Sequence, residues 1–454
     1  MLMQVATDAA FDFARLRAEE FGRLDATGIA YLDYTASALY AASQVRVHAE
    51  RLANGIFGNP HSEHLASRNS SAAIDAARDA TLAFFDADPD LYDVVFTANT
   101  SAALKLVAES YPLAPGRGLI LTADNHNSVN GMREYAGRAG APVTTLPLDA
   151  DLRLDVPSAV LRATVERDGP GLLVFPSQSN FSGVRHDLAL ADEAQAIGCD
   201  VVIDAASAGL CGAFSLRLYP VEFVACSFYK LFGLPTGVGA LIARKSALAQ
   251  LGRPWFSGGT VEFVSVAHRR HALIAGHHGF EDGTPNFLDL AAVGTGFAFL
   301  GSLPRDTIRA HVEDLTDHFL RHAAALAHRD GSPLVRLYGS QDMTMRGGTV
   351  SFNVLDRDGR TVRYQQVEQR ARDRNVAIRG GCFCNPGAAE AAFGLGNPEA
   401  LRCLDRLAGR FSVEAFQDCL GPDIAVGALR LSVGAPSNRR DVDRALDLIA
   451  SYAA

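Results

Sequence analysis

The chain has 454 residues, 48% of them hydrophobic, and a formal net charge of -9 at pH 7. That length suits two domains with a sizeable core, and the acidic balance argues against non-specific nucleic-acid binding. No apolar run is long enough to read as a membrane span. Residues 1–20 lack the basic region and long apolar core of a secretion signal, so a reducing, cytoplasmic setting is the default expectation. The seven cysteines are Cys199, Cys211, Cys226, Cys382, Cys384, Cys403 and Cys419. An odd number in a long chain argues against a disulfide framework. Cys382 and Cys384 form a C-x-C pair, but no second pair stands at zinc-site spacing, and no metal is expected.

In chain order, residues 11–24 read as helical. The stretch Ile29–Leu39 begins as a short strand at Tyr31 and Leu32. It ends in small residues, which permit close approach of backbone or ligand. The loop 55–64 carries Asn59, Pro60, His61, Ser62 and His64, and reads as a polar surface loop as readily as a binding loop. A helix is predicted over Ala66–Phe85.

Seven apolar or β-branched runs follow: Val94–Phe96, Leu119–Leu121, Pro142–Leu146, Leu172–Phe175, Val201–Ile203, Glu222–Ala225 and Gly237–Ile242. Helical spacing lies between several of them, at Ala102–Ser110, Pro157–Glu166 and Leu188–Ile197. Pro157 suits a first helical position. Strands alternating with helices predict an α/β layer around a mostly parallel sheet. Runs without strict alternation fit strands buried on both faces. Ligands of such sheets lie at the carboxyl ends of the strands.

The loops after these runs hold the polar chemistry. After Phe96, Thr97–Ser101 opens a helix. Free N–H groups there, with the Thr100 and Ser101 hydroxyls, suit a phosphate, or equally an ordinary helix cap. Later loops bring His126, Asn180, Asp204 and Ser227. Lys230 sits in an aromatic, apolar run, Phe228–Gly233. A buried lysine is costly unless paired or used chemically, and a lowered lysine pKa suits a Schiff base. Each residue alone has a structural reading. Five polar loops in the same sense, plus a lysine, point to one site.

From Leu288 the texture changes. Helices are predicted over Leu290–Leu300 and Arg305–Arg329. In the second, Ile308, Val312, Leu315, Phe319 and Leu326 recur at helical spacing as a core stripe. Short strands at Thr349–Val354, Val376–Ile378 and Ala428–Val433, with helices at Tyr364–Arg372 and Asp441–Ser451, make an α+β unit. The expected division is a large domain over 25–299 and a small domain from 1–24 and 300–454. The small domain carries Arg379–Gly387, read as a glycine-rich loop. Arg379 suits a carboxylate and Cys384 suits a reactive thiol, although a plain turn with an incidental cysteine is equally open.

Six stretches together carry a resemblance: Gly58–Ser62, Phe96–Leu106, Asn125–Val129, Gln178–Gly183, Ser227–Gly239 and Gly381–Gly387. In this order the chain resembles the fold-type I pyridoxal-phosphate enzymes of the class V aminotransferase and cysteine desulfurase group. Within it, the chain is most similar to the amino-terminal, desulfurase-like domain of molybdenum cofactor sulfurases. The resemblance implies a large domain with a mostly parallel seven-stranded sheet, a smaller α+β domain, and pyridoxal 5'-phosphate bound covalently to Lys230. It implies that Asp204 pairs with the ring nitrogen, His126 stacks on the ring and Asn180 bonds its phenolic oxygen. Thr100, Ser101 and Ser227 would hold the phosphate, with Thr260 contributed across a homodimer. Arg379 would take the substrate carboxylate, Asn59 and His61 would also bind substrate, and Cys384 would attack substrate sulfur.

The chain departs from the family pattern at Asn99, where glycine is usual, at Ser101 for threonine, and at Ser207 for glutamine. The full sulfurases append a second domain that engages molybdenum cofactor, for which 454 residues leave no room. The expectation is an L-cysteine desulfurase passing sulfur to an acceptor protein or cofactor. Transamination, β-elimination or racemisation of another amino acid is the alternative.

Overall fold

A computed structural model describes residues 11–154, 156, 158–209, 214–421 and 423–453. Pro157 and Cys211 lie outside the described residues. All seven expected strands form and lie in one sheet. Across it the order is Tyr92–Thr97, Gly239–Arg244, Phe223–Ser227, Asp200–Asp204, Leu172–Pro176, Leu119–Thr122 and Val143–Leu146. Gly239–Arg244 runs antiparallel to both neighbours. The remaining neighbours pair in parallel. Six strands therefore run in one sense and deliver their polar loops to one edge of the sheet. The central strands are buried at every residue of Leu172–Pro176 and Phe223–Ser227, which explains their unbroken apolar runs.

Gly239 shows why the reversed strand can begin at that edge. A Cβ there would lie 2.6 Å from the Asn99 carbonyl carbon, so only glycine lets the strand pass beneath the loop that follows Thr97.

The second sheet has four antiparallel strands, in the order Val335–Tyr338, Thr349–Val354, Ala428–Ser432 and Arg379–Gly381. Ala30–Tyr31 pairs in parallel with Val376–Ala377, and Asp33 bridges Ser432. The helix Arg305–Ala325 buries Ile308, Val312, Leu315 and Phe319, as the stripe required. Leu326 caps its carboxyl end rather than continuing it. The helix Leu290–Gly301 packs on Leu65–Phe84. Among the described residues no helix is long and apolar enough to cross a membrane.

Two sequence expectations change. Arg379–Gly387 is not one loop: Arg379–Gly381 is an edge strand and Pro386–Phe393 is a helix capped by Asn385. Proline at the first helical position and asparagine before it are the signals that reveal the start of this helix. Arg430 occupies the polar phase of the alternating Ala428–Ser432 strand, yet it is only 3% exposed, because Asp33 is folded against it.

The second concerns the cysteines. Cys403 and Cys419 form a disulfide, although the odd count argued against a framework. Their helices, Pro398–Leu407 and Val413–Leu420, share a small apolar cluster with Phe416 and Leu420 that brings the two sulfurs together. Sixteen positions separate the pair, and closing a loop of that length stabilises a fold by about 3 kcal/mol. Reduction, or the double change Cys403→Ser and Cys419→Ser, is expected to lower stability by about that amount, read from urea midpoints.

Candidate active site

Lys230 stands on a short helical turn, Phe228–Phe232, directly after the buried strand Phe223–Ser227. Phe228 and Phe232 anchor the turn. Their rings lie 6.0 Å apart and both pack on Phe297. With those rings in the core, Tyr229 and Lys230 face a cleft of about 350 Å³. Thr100, Ser101, His126, Asn180, Asp204, Ser227 and Lys230 all line it. Seven residues selected from five loops thus converge, because all five loops leave the sheet at the same edge.

Burial pushes the Lys230 ammonium's pKa below the usual lysine range, against the opposing pull of Asp204. Asp204 closes its strand, is 4% exposed, and accepts a hydrogen bond from the Ala206 N–H at 2.9 Å. Burial likewise pushes His126 down. Asp204 pulls the other way and Lys230 adds to the fall. His126 Nδ1 accepts from the Ser128 N–H at 3.1 Å. Its turn is fixed from beneath. Asn125 Nδ2 donates to the Thr122 and Val174 carbonyls, and Asp124 pairs with buried His186 at 2.6 Å.

The shift at His126 has a testable sign. A base whose pKa falls on folding leaves the unfolded chain binding more protons, so stability drops as pH falls below the unfolded value, about 6.5 for histidine. The cofactor-free protein is expected to lose stability from about pH 7 to about 5.5. His126→Asn, which can still cap the turn, should flatten that loss in urea unfolding.

The phosphate-like end is built on the helix Thr100–Ser110. The Thr100 N–H donates to Ser227 Oγ at 2.9 Å, and the Thr100 and Ser227 hydroxyls lie 2.6 Å apart. Ser101 and Ser128 hydroxyls lie 2.5 Å apart. Asn99 caps the helix by accepting from the Ala102 N–H, with φ at -177°. That backbone is extended, so asparagine in place of glycine imposes no left-handed strain there. Ser207 is turned to Gln178: its hydroxyl donates to the Gln178 carbonyl at 2.8 Å.

Arg379 meets Asp33, which sequence reading missed. Its Nε and Nη2 donate to the Asp33 carboxylate at 3.0 and 2.7 Å. Asp33 raises the Arg379 pKa further. Buried Arg430 also donates to Asp33, and desolvation lowers its pKa to about 10. A carboxylate thus already holds one edge of the Arg379 guanidinium, leaving Nη1 for another acceptor.

Cys384 is an exposed free thiol, near enough to Lys230 and Arg430 that a thiolate there would interact with both. Phe383 and Cys384 both have left-handed backbones, with φ of 57° and 55°. Such non-glycine strain persists only where surrounding contacts hold it. The Asn127 N–H donates to the Cys384 carbonyl at 2.7 Å, and Asn180 Nδ2 to the Phe383 carbonyl at 2.7 Å. Phe383 packs on Phe181 and under Arg430. Cys382 is turned away: burial raises its thiol pKa, and its sulfur donates to the Val426 carbonyl.

Five expected residues do not line this cleft: Arg379 and Cys384, just described, and a further three. Asn59 and His61 are exposed, and Asn59 Nδ2 donates to Thr284. Thr260 is buried in its own turn, where its hydroxyl donates to the Ser257 carbonyl. They form a separate group, since Gly259 lies beside His61 Nε2. Elsewhere, His277, His278 and Glu281 bring three ligand-type atoms within 4.8 Å of one another. Two of these residues are engaged, His277 with Asp93 and Glu281 with Arg78 and the Phe96 N–H.

The cleft fits pyridoxal 5'-phosphate. Hydroxyls and helix N–H groups suit its phosphate, a buried carboxylate suits its protonated ring nitrogen, and a lysine of lowered pKa suits its aldehyde.

A family model for class-V aminotransferases matches residues 30–444. The molybdenum cofactor sulfurase of Arabidopsis thaliana is 34% identical over 491 residues, covering 98% of this chain and 58% of that protein. The one from Anopheles gambiae is 36% identical over 466 residues, covering 96% of this chain and 58% of that protein. The chain therefore spans little more than half the length of these relatives. A cysteine desulfurase from Thermococcus onnurineus NA1 superposes with a TM-score of 0.80 at 22% identity, covering 96% of this chain and 97% of that one. One from Escherichia coli gives 0.76 at 21% identity, covering 98% and 99%. The chain belongs to the class-V aminotransferase family of fold-type I pyridoxal-phosphate enzymes, in the superfamily that includes the cysteine desulfurases.

Proposed function

We propose that the protein is an L-cysteine desulfurase that releases L-alanine and leaves a persulfide on Cys384. The observation that carries this reading is an exposed thiol on a strained loop that is hydrogen-bonded to Asn180, which lines the cleft with Lys230. Transamination or racemisation needs the lysine and has no use for the thiol. When bound, the cofactor stabilises negative charge that develops next to the substrate amine.

The chain's own residues do the rest. Arg379, braced by Asp33, holds the substrate carboxylate. Lys230, neutral at lower pH than an ordinary lysine, takes and returns the proton at the substrate Cα. Cys384 Sγ attacks the substrate sulfur as a thiolate. The S–S bond forms while the Cβ–S bond breaks, and the electron pair left on carbon takes a proton to give alanine. Asp204 would pair with the cofactor's ring nitrogen and His126 would cover its ring. Thr100, Ser101 and Ser227 would hold its phosphate.

The persulfide then passes to an acceptor thiol, protein or cofactor. The similarity to molybdenum cofactor sulfurases makes that cofactor the first acceptor to try. A homodimer acting in the cytoplasm completes the reading. The homodimer is supported by a hairpin, Val261–Ser265 with Arg270–Leu273, that exposes Phe263, Val264 and Leu273 beside Gly258–Thr260. The test is product analysis with L-cysteine and a reducing thiol. Equal alanine and sulfide are expected. Pyruvate and ammonia in their place would establish β-elimination instead.

A further inference from the structure

We infer that Asn385 is a positioning residue that orients Asn180 toward the cofactor and anchors the Cys384 loop; this rests on the reading of the cleft given above. Asn385 is completely buried. Its Oδ1 accepts from the Ala388 N–H at 3.1 Å. Its Nδ2 donates to the Asp124 carbonyl at 2.6 Å and to Asn180 Oδ1 at 2.9 Å. An N–H can only donate and a carbonyl can only accept, so Ala388 and Asp124 leave the Asn385 amide a single orientation.

That orientation dictates the next one. Asn385 presents N–H to Asn180, so Asn180 must answer with Oδ1. Its Nδ2 is thereby turned to the Phe383 carbonyl. One Nδ2 proton is used there. The other has no acceptor among the described residues, and Asn180 lines the cleft. The cleft receives a donor, as the phenolic oxygen of the cofactor requires. The same chain of bonds holds the Phe383 carbonyl within the left-handed stretch that places Cys384. One side chain, next in sequence to the thiol, therefore sets both the donor in the cleft and the posture of the loop.

Two variants test this. Asn385→Asp keeps the side chain's size and the cap on Ala388, but puts oxygen where two bonds were donated. Asn385→Ser also keeps the cap and is too short to reach Asn180. It carries the test if the aspartate variant fails to fold. Two readouts are taken. One is the pH midpoint of the absorbance of pyridoxal phosphate bound to the protein. The other is the rate at which iodoacetamide alkylates Cys384 in cofactor-free protein, located by peptide mapping.

Loss of the donor to a phenolate oxygen is expected to raise the midpoint by about one pH unit. Loss of the anchor is expected to speed alkylation several-fold, an effect that needs no cofactor. Variants that bind the cofactor, titrate like the parent and alkylate at its rate would overturn the role of Asn385 while leaving the cleft as assigned. A parent protein that takes up no pyridoxal phosphate would overturn both.

Discussion

Lys230→Ala is expected to lower alanine production from L-cysteine by about 10³-fold or more, since general acid–base and covalent roles are lost together. The structural ground is that Lys230 is the only lysine among the residues lining the cleft. Burial holds its pKa down, so the neutral amine is available under milder conditions than for a surface lysine. The neighbours cannot substitute. Arg379 is a guanidinium held by Asp33, and His126 is committed through Nδ1 to the Ser128 N–H. The variant should fold, because Phe228 and Phe232 rather than Lys230 anchor the turn. It should also lose the absorbance of the lysine-bound cofactor. A Lys230→Ala protein with normal turnover would sink the assignment of the cleft.

Cys384→Ala is expected to behave differently. The cofactor should bind and its absorbance should be unchanged, because no bond from Thr100, Ser227, Asp204 or Lys230 passes through the thiol. Protein persulfide should vanish, and alanine formation should fall by about 10²-fold or more as the nucleophile is lost. Cys382→Ala should leave persulfide formation in place, since that sulfur faces the Val426 carbonyl and its thiol resists ionisation. The two variants are compared by trapping persulfide and quantifying alanine. Alanine production that ignores Cys384 would redirect the search toward elimination or transamination.

Much of the fold was legible in the chain because its signals are local. Apolar runs such as Leu172–Pro176 mark strands covered on both faces, and the 305–325 stripe marks a helix against a core. Strand–helix alternation then implies parallel strands, and parallel strands place their following loops on one edge. That is why Thr100, His126, Asn180, Asp204, Ser227 and Lys230 were identifiable as one group. Their motif resemblance supplied the roles, which the sheet geometry alone would not.

What the tertiary structure decided depends on contacts between residues far apart in the chain. Asp33 lies 346 positions from Arg379, and neither residue's neighbours announce the pair. The burial of Arg430 depends on Asp33, 397 positions away, because alternation reports only which face a residue occupies, not whether another element covers that face. The Cys403–Cys419 bond required two helices to pack first. The Asn385–Asn180 chain required loops from both sheets to meet, and its polarity follows from backbone donors and acceptors that no side-chain sequence encodes. Local pattern determines the elements and the edge where chemistry gathers, because propensity and periodicity act over a few residues. Folding decides which charges neutralise one another and which protons point into the cleft, because those energies arise only when distant groups are desolvated together.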